Sequence, residues 1–272
     1  LSVNKLRVAL VQTELAWESP EANRRHFERI LGRLEPTDLI VLPEMFSTGF
    51  SMQSQALAET MAGPTMAWLK ATAANHSASV CGSVIIEEDQ SYFNRFVLVR
   101  PTGEVIHYDK RHLFRMGAEH AHYTAGTDRL TIPVAGFTVF PQVCYDLRFP
   151  VFARNNLDYD LMIYVANWPA TRRQHWQTLL RARAIENQCY VIGVNRIGVD
   201  GNDVAYAGDS AAIDFNGTVI REAGDTDTVI RAELDRDALL AFRTAFPAWR
   251  DADSFNLSSE SSQAESDREH RD

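Results

Sequence analysis

Three ionisable residues of this chain share one local setting. Glu44 ends the run Leu39-Ile40-Val41-Leu42-Pro43, Lys110 ends Val105-Ile106-His107-Tyr108-Asp109, and Cys144 ends Phe140-Pro141-Gln142-Val143. Each stands at the carboxyl end of an apolar stretch that reads as a buried strand. Ligand sites of open α/β sheets lie outside the carboxyl ends of strands, so one crevice can collect all three. A thiol, a carboxyl and an ammonium are the parts of covalent acyl chemistry: nucleophile, proton carrier, and charge for a developing oxyanion. Cys144 also precedes a helical pattern, where backbone amides favour a thiolate and can donate to an oxyanion. Taken singly, each residue also has an ordinary role, as a packed thiol, a first-turn helix acid or a surface cation.

The elements that must position these groups alternate between strand and helix. Residues 6–13 read as a buried strand. Ser19-Pro20-Glu21 reads as an N-cap, first-turn proline and early acid, opening a helix that turns Phe27, Ile30, Leu31 and Leu34 inward. Residues 39–42 form a second buried strand, and Gly63-Pro64 opens a helix with Met66, Leu69 and Ala73 inward. Strands follow at 80–87, 93–99 and 105–108, the last two joined by a turn across Pro101-Thr102-Gly103. The second half repeats the order, with strands at 137–143 and 161–166 around a short helix at 150–156. A long helix over 175–188 buries Trp176, Leu179, Leu180 and Ala184, and precedes a strand at 190–194. Asn216-Gly217 marks a hairpin between 211–215 and 218–221. A strand at 229–233 and a helix from Asp237 close the pattern. Two pseudo-equivalent halves of this kind imply two mixed sheets with helices outside, an α/β four-layer α-β-β-α sandwich.

The 272 residues hold 45% apolar and 23% charged side chains, enough for a large core. Residues 258–272 contain one apolar side chain, five acids and two arginines. They are expected to form a disordered acidic tail behind a single catalytic domain over 1–257. Acids outnumber bases 36 to 27, giving a net charge of −9, so neither nucleic acid nor a membrane is an expected partner. No apolar window reaches the roughly 20 residues of a membrane span. The run 6–11 is broken at once by Gln12, Thr13 and Glu14, which is not a signal-peptide pattern. The start at Leu1, without methionine, is compatible with trimming. Three widely spaced cysteines make neither a disulfide framework nor a four-cysteine zinc site, and they point to a reducing, cytoplasmic setting. Cys81 and Cys189 lie inside strand patterns with no acid or base beside them.

Leu42-Pro43-Glu44-Met45-Phe46, Tyr108-Asp109-Lys110-Arg111-His112-Leu113-Phe114 and Cys144-Tyr145-Asp146-Leu147-Arg148-Phe149-Pro150 resemble the three signature motifs of the nitrilase superfamily, in the family's order. Asn167-Trp168-Pro169 and Arg181-Ala182-Arg183-Ala184-Ile185-Glu186-Asn187 extend the resemblance over nearly the whole body. The resemblance implies the same sandwich fold, a Glu44–Lys110–Cys144 triad, and no metal or organic cofactor. Many members carry a second glutamate after the lysine motif, in a pattern of Glu, three intervening residues, an aromatic, two intervening residues and Gly; Glu119, Tyr123 and Gly126 fit that pattern. Glu119 then either holds Lys110 or the substrate, or is a loop acid neutralised by His120 or His122.

On this reading Cys144 attacks an amide carbonyl, and Glu44 carries its proton to the leaving nitrogen and later activates water. Lys110 and the backbone N–H of Tyr145 stabilise the oxyanion. The stretches around Cys144, Trp168 and Arg183 look most like bacterial ω-amidases, which release ammonia from 2-oxoglutaramate or 2-oxosuccinamate. Phe46, Phe114, Tyr145 and Trp168 are the expected pocket walls, with Arg115, Arg172 or Arg173 for a substrate carboxylate. Rival readings are a nitrilase, another aliphatic amidase or N-carbamoyl amidohydrolase, and a catalytically silent binding scaffold. A zinc site of His112, His120, His122 and Cys144 is a further one. The small-molecule amide or nitrile is the expected partner, together with further copies of the chain, since relatives of this fold commonly pair as dimers or higher homo-oligomers.

Overall fold

The computed structural model describes residues 4–156 and 158–257; the expected tail lies outside the described residues. Chain order is β1 (Lys5–Gln12), α1 (Pro20–Leu31), β2 (Leu39–Val41), α2 (Ser54–Leu57), α3 (Pro64–His76), β3 (Ser79–Glu88), β4 (Ser91–Val99) and β5 (Val105–Asp109). There follow β6 (Ile132–Val134), β7 (Phe137–Val143), α4 (Pro150–Ala153), β8 (Leu161–Val165), α5 (Arg173–Asn187) and β9 (Tyr190–Val194). The chain then runs through β10 (Ile197–Val199), β11 (Ala205–Ala207), β12 (Ala211–Ile213), β13 (Val219–Glu222), β14 (Thr228–Asp235) and α6 (Arg236–Ala245).

One six-stranded sheet has the order β14-β1-β2-β3-β4-β5, the other β6-β7-β8-β9-β12-β13. Read in those directions, both run antiparallel, parallel, parallel, antiparallel, antiparallel. The two halves expected from element order are thus equivalent in strand polarity, but the first sheet is completed by β14 from the far end of the chain. Period-two alternation sorts its side chains. Leu6, Val8, Leu10, Leu39, Val41, Phe96 and Leu98 share a core with Phe140, Val143, Leu161 and Ile163 of the second sheet. Val11, Ile40, Val80, Val97 and Val99 face the opposite way, onto Phe27 and Leu31 of α1 and Met66, Leu69 and Ala73 of α3. On the far side Trp176, Leu180 and Ala184 of α5 pack on the second sheet. The layers are α-β-β-α.

Local details depart from the expected ones. Ser19 makes no side-chain cap bond, although Pro20 sits in the first turn of α1. The buried stripe of α1 is Asn23, Phe27 and Leu31, one residue per turn, which leaves Ile30 and Leu34 at its margin. The helix expected over 150–156 is the single turn α4. The strand before Lys110 is not buried: β5 is the sheet edge and is largely half-exposed, with Tyr108 its one buried side chain. The β10–β11 hairpin has no counterpart in the sequence reading, because three-residue strands carry too little alternation to be seen.

Candidate active site

Glu44, Lys110, Glu119 and Cys144 converge where the two sheets meet. Glu44 is 0% exposed, Lys110 1%, Glu119 0% and Cys144 9%. Lys110 Nζ donates to Glu44 Oε1 at 2.9 Å and to both oxygens of Glu119 at 3.0 Å. The alternative pairing of Glu119 with His120 or His122 does not occur, as both histidines are exposed on the short turns around it. Glu119 Oε2 also accepts the Phe114 N–H at 2.6 Å, which ties the acid to the loop leaving Lys110. The pattern residues Tyr123 and Gly126 have local reasons. Tyr123 donates its hydroxyl to Ser51 O at 2.5 Å. Gly126 donates to Lys110 O at 3.0 Å, and a Cβ there would lie 2.1 Å from Asp109 O.

Two residues missed in the sequence reading finish the carboxylate shell. Asn94 Nδ2 donates to Glu44 Oε1 at 2.8 Å and to Glu119 Oε1 at 3.1 Å, while Asn94 Oδ1 accepts from Ser83 Oγ at 2.8 Å. Ser83 Oγ in turn accepts the Met45 N–H at 2.8 Å. A lone asparagine in the mixed pattern of β4 carries no sequence signal. Asn167, quoted above only as part of a motif, joins Glu44 to Cys144. Its N–H donates to Glu44 Oε2 at 2.8 Å, its Nδ2 to Glu44 O at 2.6 Å, and its carbonyl lies 3.9 Å from Cys144 Sγ. Glu44 Oε1 thus takes two close bonds, from Lys110 and Asn94. Oε2 takes one close bond from the Asn167 N–H and one long bond from Asn167 Nδ2 at 3.4 Å, which makes it the oxygen with more room for a thiol proton.

Cys144 opens a five-residue 3-10 turn, Cys144–Arg148, directly after β7. Its φ is 45°, and that of Met45 beside Glu44 is 42°. Left-handed backbone at non-glycine residues costs on the order of 1–3 kcal/mol and persists only where surroundings over-determine it. Here it turns the chain sharply at Cys144 itself and immediately after Glu44, at the two strand ends that meet in the site.

The electrostatics correct one expectation. The turn after Cys144 does not make the resting thiol acidic: burial, then the Glu44 charge, push it well above the ordinary thiol range, with Lys110 pulling the other way. Burial draws the Lys110 ammonium down, but Glu119 and Glu44 outweigh it and hold it above the usual lysine range. Burial and the neighbouring Glu44 charge raise Glu119 against the pull of Lys110. The resting site therefore holds a thiol that needs a base, beside a locked cation. Cys81 and Cys189 are fully buried with thiols raised by burial.

Replacing Lys110 by methionine leaves two buried carboxylates facing each other. An unpaired charge of this kind costs about 3–5 kcal/mol. Thermal unfolding should show that loss at neutral pH, and a midpoint equal to wild type would mean that Lys110 does not neutralise the pair.

A cavity of roughly 540 Å³ opens over Cys144 and Lys110. Phe114, Tyr145 and Trp168 line it as expected, Phe114 and Tyr145 edge to face at 5.1 Å. Phe46 does not. It is buried in the outer layer against Phe27 and Trp68, at 5.5 and 5.8 Å between centroids, over the space that Gly82 leaves open. The left-handed Met45 turns the chain, and Phe50 and Met52 take the wall position instead, with the Phe50 ring 5.2 Å from Lys110 Nζ. Of the arginine candidates, Arg172 lines the cavity over the Phe114 ring at 5.4 Å. Arg173 is committed to Asp209 at 2.5 and 2.7 Å. Arg115 is not among the lining residues, whereas Arg148, over the Trp168 ring at 4.9 Å, is. The β10–β11 hairpin supplies the remaining wall through Asp200 and Tyr206, themselves joined at 2.8 Å. The expected zinc alternative finds no support: His112 is stacked on Phe149 and bonded to Asp146, and no metal-holding group of three His, Cys, Asp or Glu occurs among the described residues.

Residues 7–244 match the carbon–nitrogen hydrolase family. An ω-amidase of Escherichia coli K12 is 50% identical over 93% of this chain and 98% of that protein. A 2-oxoglutaramate amidase of Bacillus subtilis is 32% identical over 91% of this chain and 97% of its own length. Among solved structures, a CN-hydrolase superfamily protein of Xanthomonas campestris, with an arsenic adduct in its active site, superposes with a TM-score of 0.92. It is 47% identical, covering 93% of this chain and 99% of that one.

Proposed function

The chain belongs to the carbon–nitrogen hydrolase family and is a hydrolase of carbon–nitrogen bonds, and from that premise we propose that it is an ω-amidase. Its substrate is then a small 2-oxo dicarboxylate monoamide such as 2-oxoglutaramate or 2-oxosuccinamate. The observation that carries the reading is a cavity with Cys144 and Lys110 among its lining residues and with Arg148 and Arg172 beside aromatic walls. Neither arginine is paired with a carboxylate among the described residues; Arg148 Nη2 lies 3.0 Å from His175 Nδ1, which leaves Arg172 the more open of the two to a substrate carboxylate. The reading is also supported by relatives named for this activity and 50% and 32% identical to the chain.

In the proposed reaction Glu44 Oε2 takes the Cys144 proton as sulfur attacks the amide carbon. The oxyanion forms beside Lys110 and the N–H of Tyr145. Glu44 then protonates the departing nitrogen, ammonia leaves, and a thioester remains. Water attacks the thioester as Glu44 accepts its proton, the acid is released, and the thiol is restored. Glu119 and Asn94 hold Lys110 and Glu44 in register throughout. The catalytic body spans 1–257, a reducing cytoplasm keeps Cys144 as a thiol, and the working form is a homodimer or higher homo-oligomer. No helix among the described residues is long and apolar enough to cross a membrane.

The test is ammonia release from 2-oxoglutaramate, compared with an aliphatic nitrile and an N-carbamoyl acid. The monoamide should exceed both, and a preference for the nitrile would overturn the reading. Arg172→Leu should raise KM for the monoamide by about 10–100-fold, the worth of one hydrogen bond to a charged group, with kcat little changed. An unchanged KM would remove Arg172 from carboxylate binding.

A further inference from the structure

The mechanism leaves His112 and Asp146 without a task, yet the two sheets are tied together through them. Asp146 is 0% exposed and has no lysine or arginine partner among the described residues. Its carboxylate accepts four hydrogen bonds instead. Oδ2 takes the Val143 N–H and the Tyr108 hydroxyl, both at 2.9 Å. Oδ1 takes the His112 N–H at 3.0 Å and lies 2.7 Å from His112 Nδ1. The Tyr108 oxygen further accepts the Arg111 N–H at 3.1 Å. The donors are not scattered: Val143 immediately precedes Cys144, while Tyr108, Arg111 and His112 bracket Lys110. One carboxylate thus binds the end of β7, which carries the nucleophile, to the end of the edge strand β5, which carries the cation.

An edge strand needs such a tie. On one side β5 pairs with β4, and on the other it has no strand among the described residues. The His112 ring is held for the purpose, stacked on Phe149 at 3.8 Å and 5° and meeting Phe152 edge-on at 5.2 Å. Because Asp146 accepts, the proton of a neutral ring is on Nδ1, and His112 is among the residues lining a second cavity of about 560 Å³.

We propose that His112 and Asp146 are positioning residues, a clamp that fixes the distance between the Lys110 ammonium and the Cys144 sulfur and thereby the stabilisation of the oxyanion. The clamp touches neither substrate nor reacting atoms. It rests on the amidase reading for its role in turnover, but its effect on Cys144 can be read without any amide. Loss of the His112 donor releases the loop after Lys110, and a misplacement of about 1 Å costs about 10²-fold in rate.

The experiment is His112→Ala in the full chain. It should lower kcat about 10²-fold with KM within about twofold, since ground-state binding is untouched. The void opens onto the second cavity, so added imidazole should restore kcat at least tenfold or so by presenting an N–H to Asp146. At about pH 9, above the imidazole range, 1-methylimidazole has the same shape but no N–H and should restore nothing. Equal rescue by both, a loss confined to KM, or kcat within about threefold of wild type would overturn the clamp. Alkylation of Cys144 by iodoacetamide should also slow by about tenfold in the variant, and an unchanged rate would count against the clamp whatever the substrate proves to be. Wild-type protein that releases no ammonia from any amide, yet shows this alkylation difference, would instead overturn the amidase reading alone. Should His112→Ala fail to fold, Tyr108→Phe removes a single hydroxyl donor and must lower kcat by about tenfold; an unchanged kcat there sinks the proposal.

Discussion

Cys144→Ala should abolish ammonia release, by at least about 10⁴-fold, in a protein that still folds. No other thiol can substitute. Cys81 lies in β3 and Cys189 just before β9, both fully buried and both with thiols raised by burial. The substitution removes one sulfur that approaches the Asn167 carbonyl at 3.9 Å, a weak contact. The Val143 and Asp146 bonds that shape the turn stay in place. Alanine meets the left-handed backbone at this position no worse than cysteine does. The unfolding midpoint should therefore move by no more than a few degrees, the scale of about 1 kcal/mol. Turnover above a thousandth of wild type in the variant, measured as ammonia, would remove Cys144 as the nucleophile.

The contrast between Glu44 and Phe46 shows what the sequence can and cannot disclose. Glu44, Lys110 and Cys144 are legible because strand ends are legible: short strand patterns stop at them, half-exposed in the case of Lys110, and open α/β sheets gather such ends. Phe46 is only two residues beyond Glu44, but the left-handed φ of Met45 intervenes, and no alternation rule survives such a turn. Its destination on Gly82, Phe27 and Trp68 is set by tertiary space. The arginines pose the same difficulty. Arg172 and Arg173 are neighbours in the chain, yet Asp209, thirty-six residues on, claims Arg173 and leaves Arg172 at the cavity. Asn94 and Asp146 are each a single polar residue whose partners are distant in sequence. Motif spacing disclosed which residues converge; it carried no information on what holds them.

Glu44→Gln should separate proton delivery from thiol acidity. A general acid–base is worth about 10²–10⁴-fold, so hydrolysis should fall by at least that much. The thiol should nevertheless become more acidic. Burial is the largest cause of its raised position and persists in the variant, but the Glu44 charge is the next and is removed, while Lys110 continues to favour the thiolate. The pH at which iodoacetamide begins to alkylate Cys144 should accordingly move down. More thiolate with less turnover is the signature of a residue that delivers protons. Alkylation expels iodide and needs no proton, whereas an amide nitrogen cannot leave until one reaches it. A site merely disordered by the substitution would lose both reactions together, because Asn94, Asn167 and Lys110 would lose their common partner. Near-wild-type hydrolysis would exclude Glu44 as the base, and an alkylation profile shifted upward would place its charge away from the sulfur.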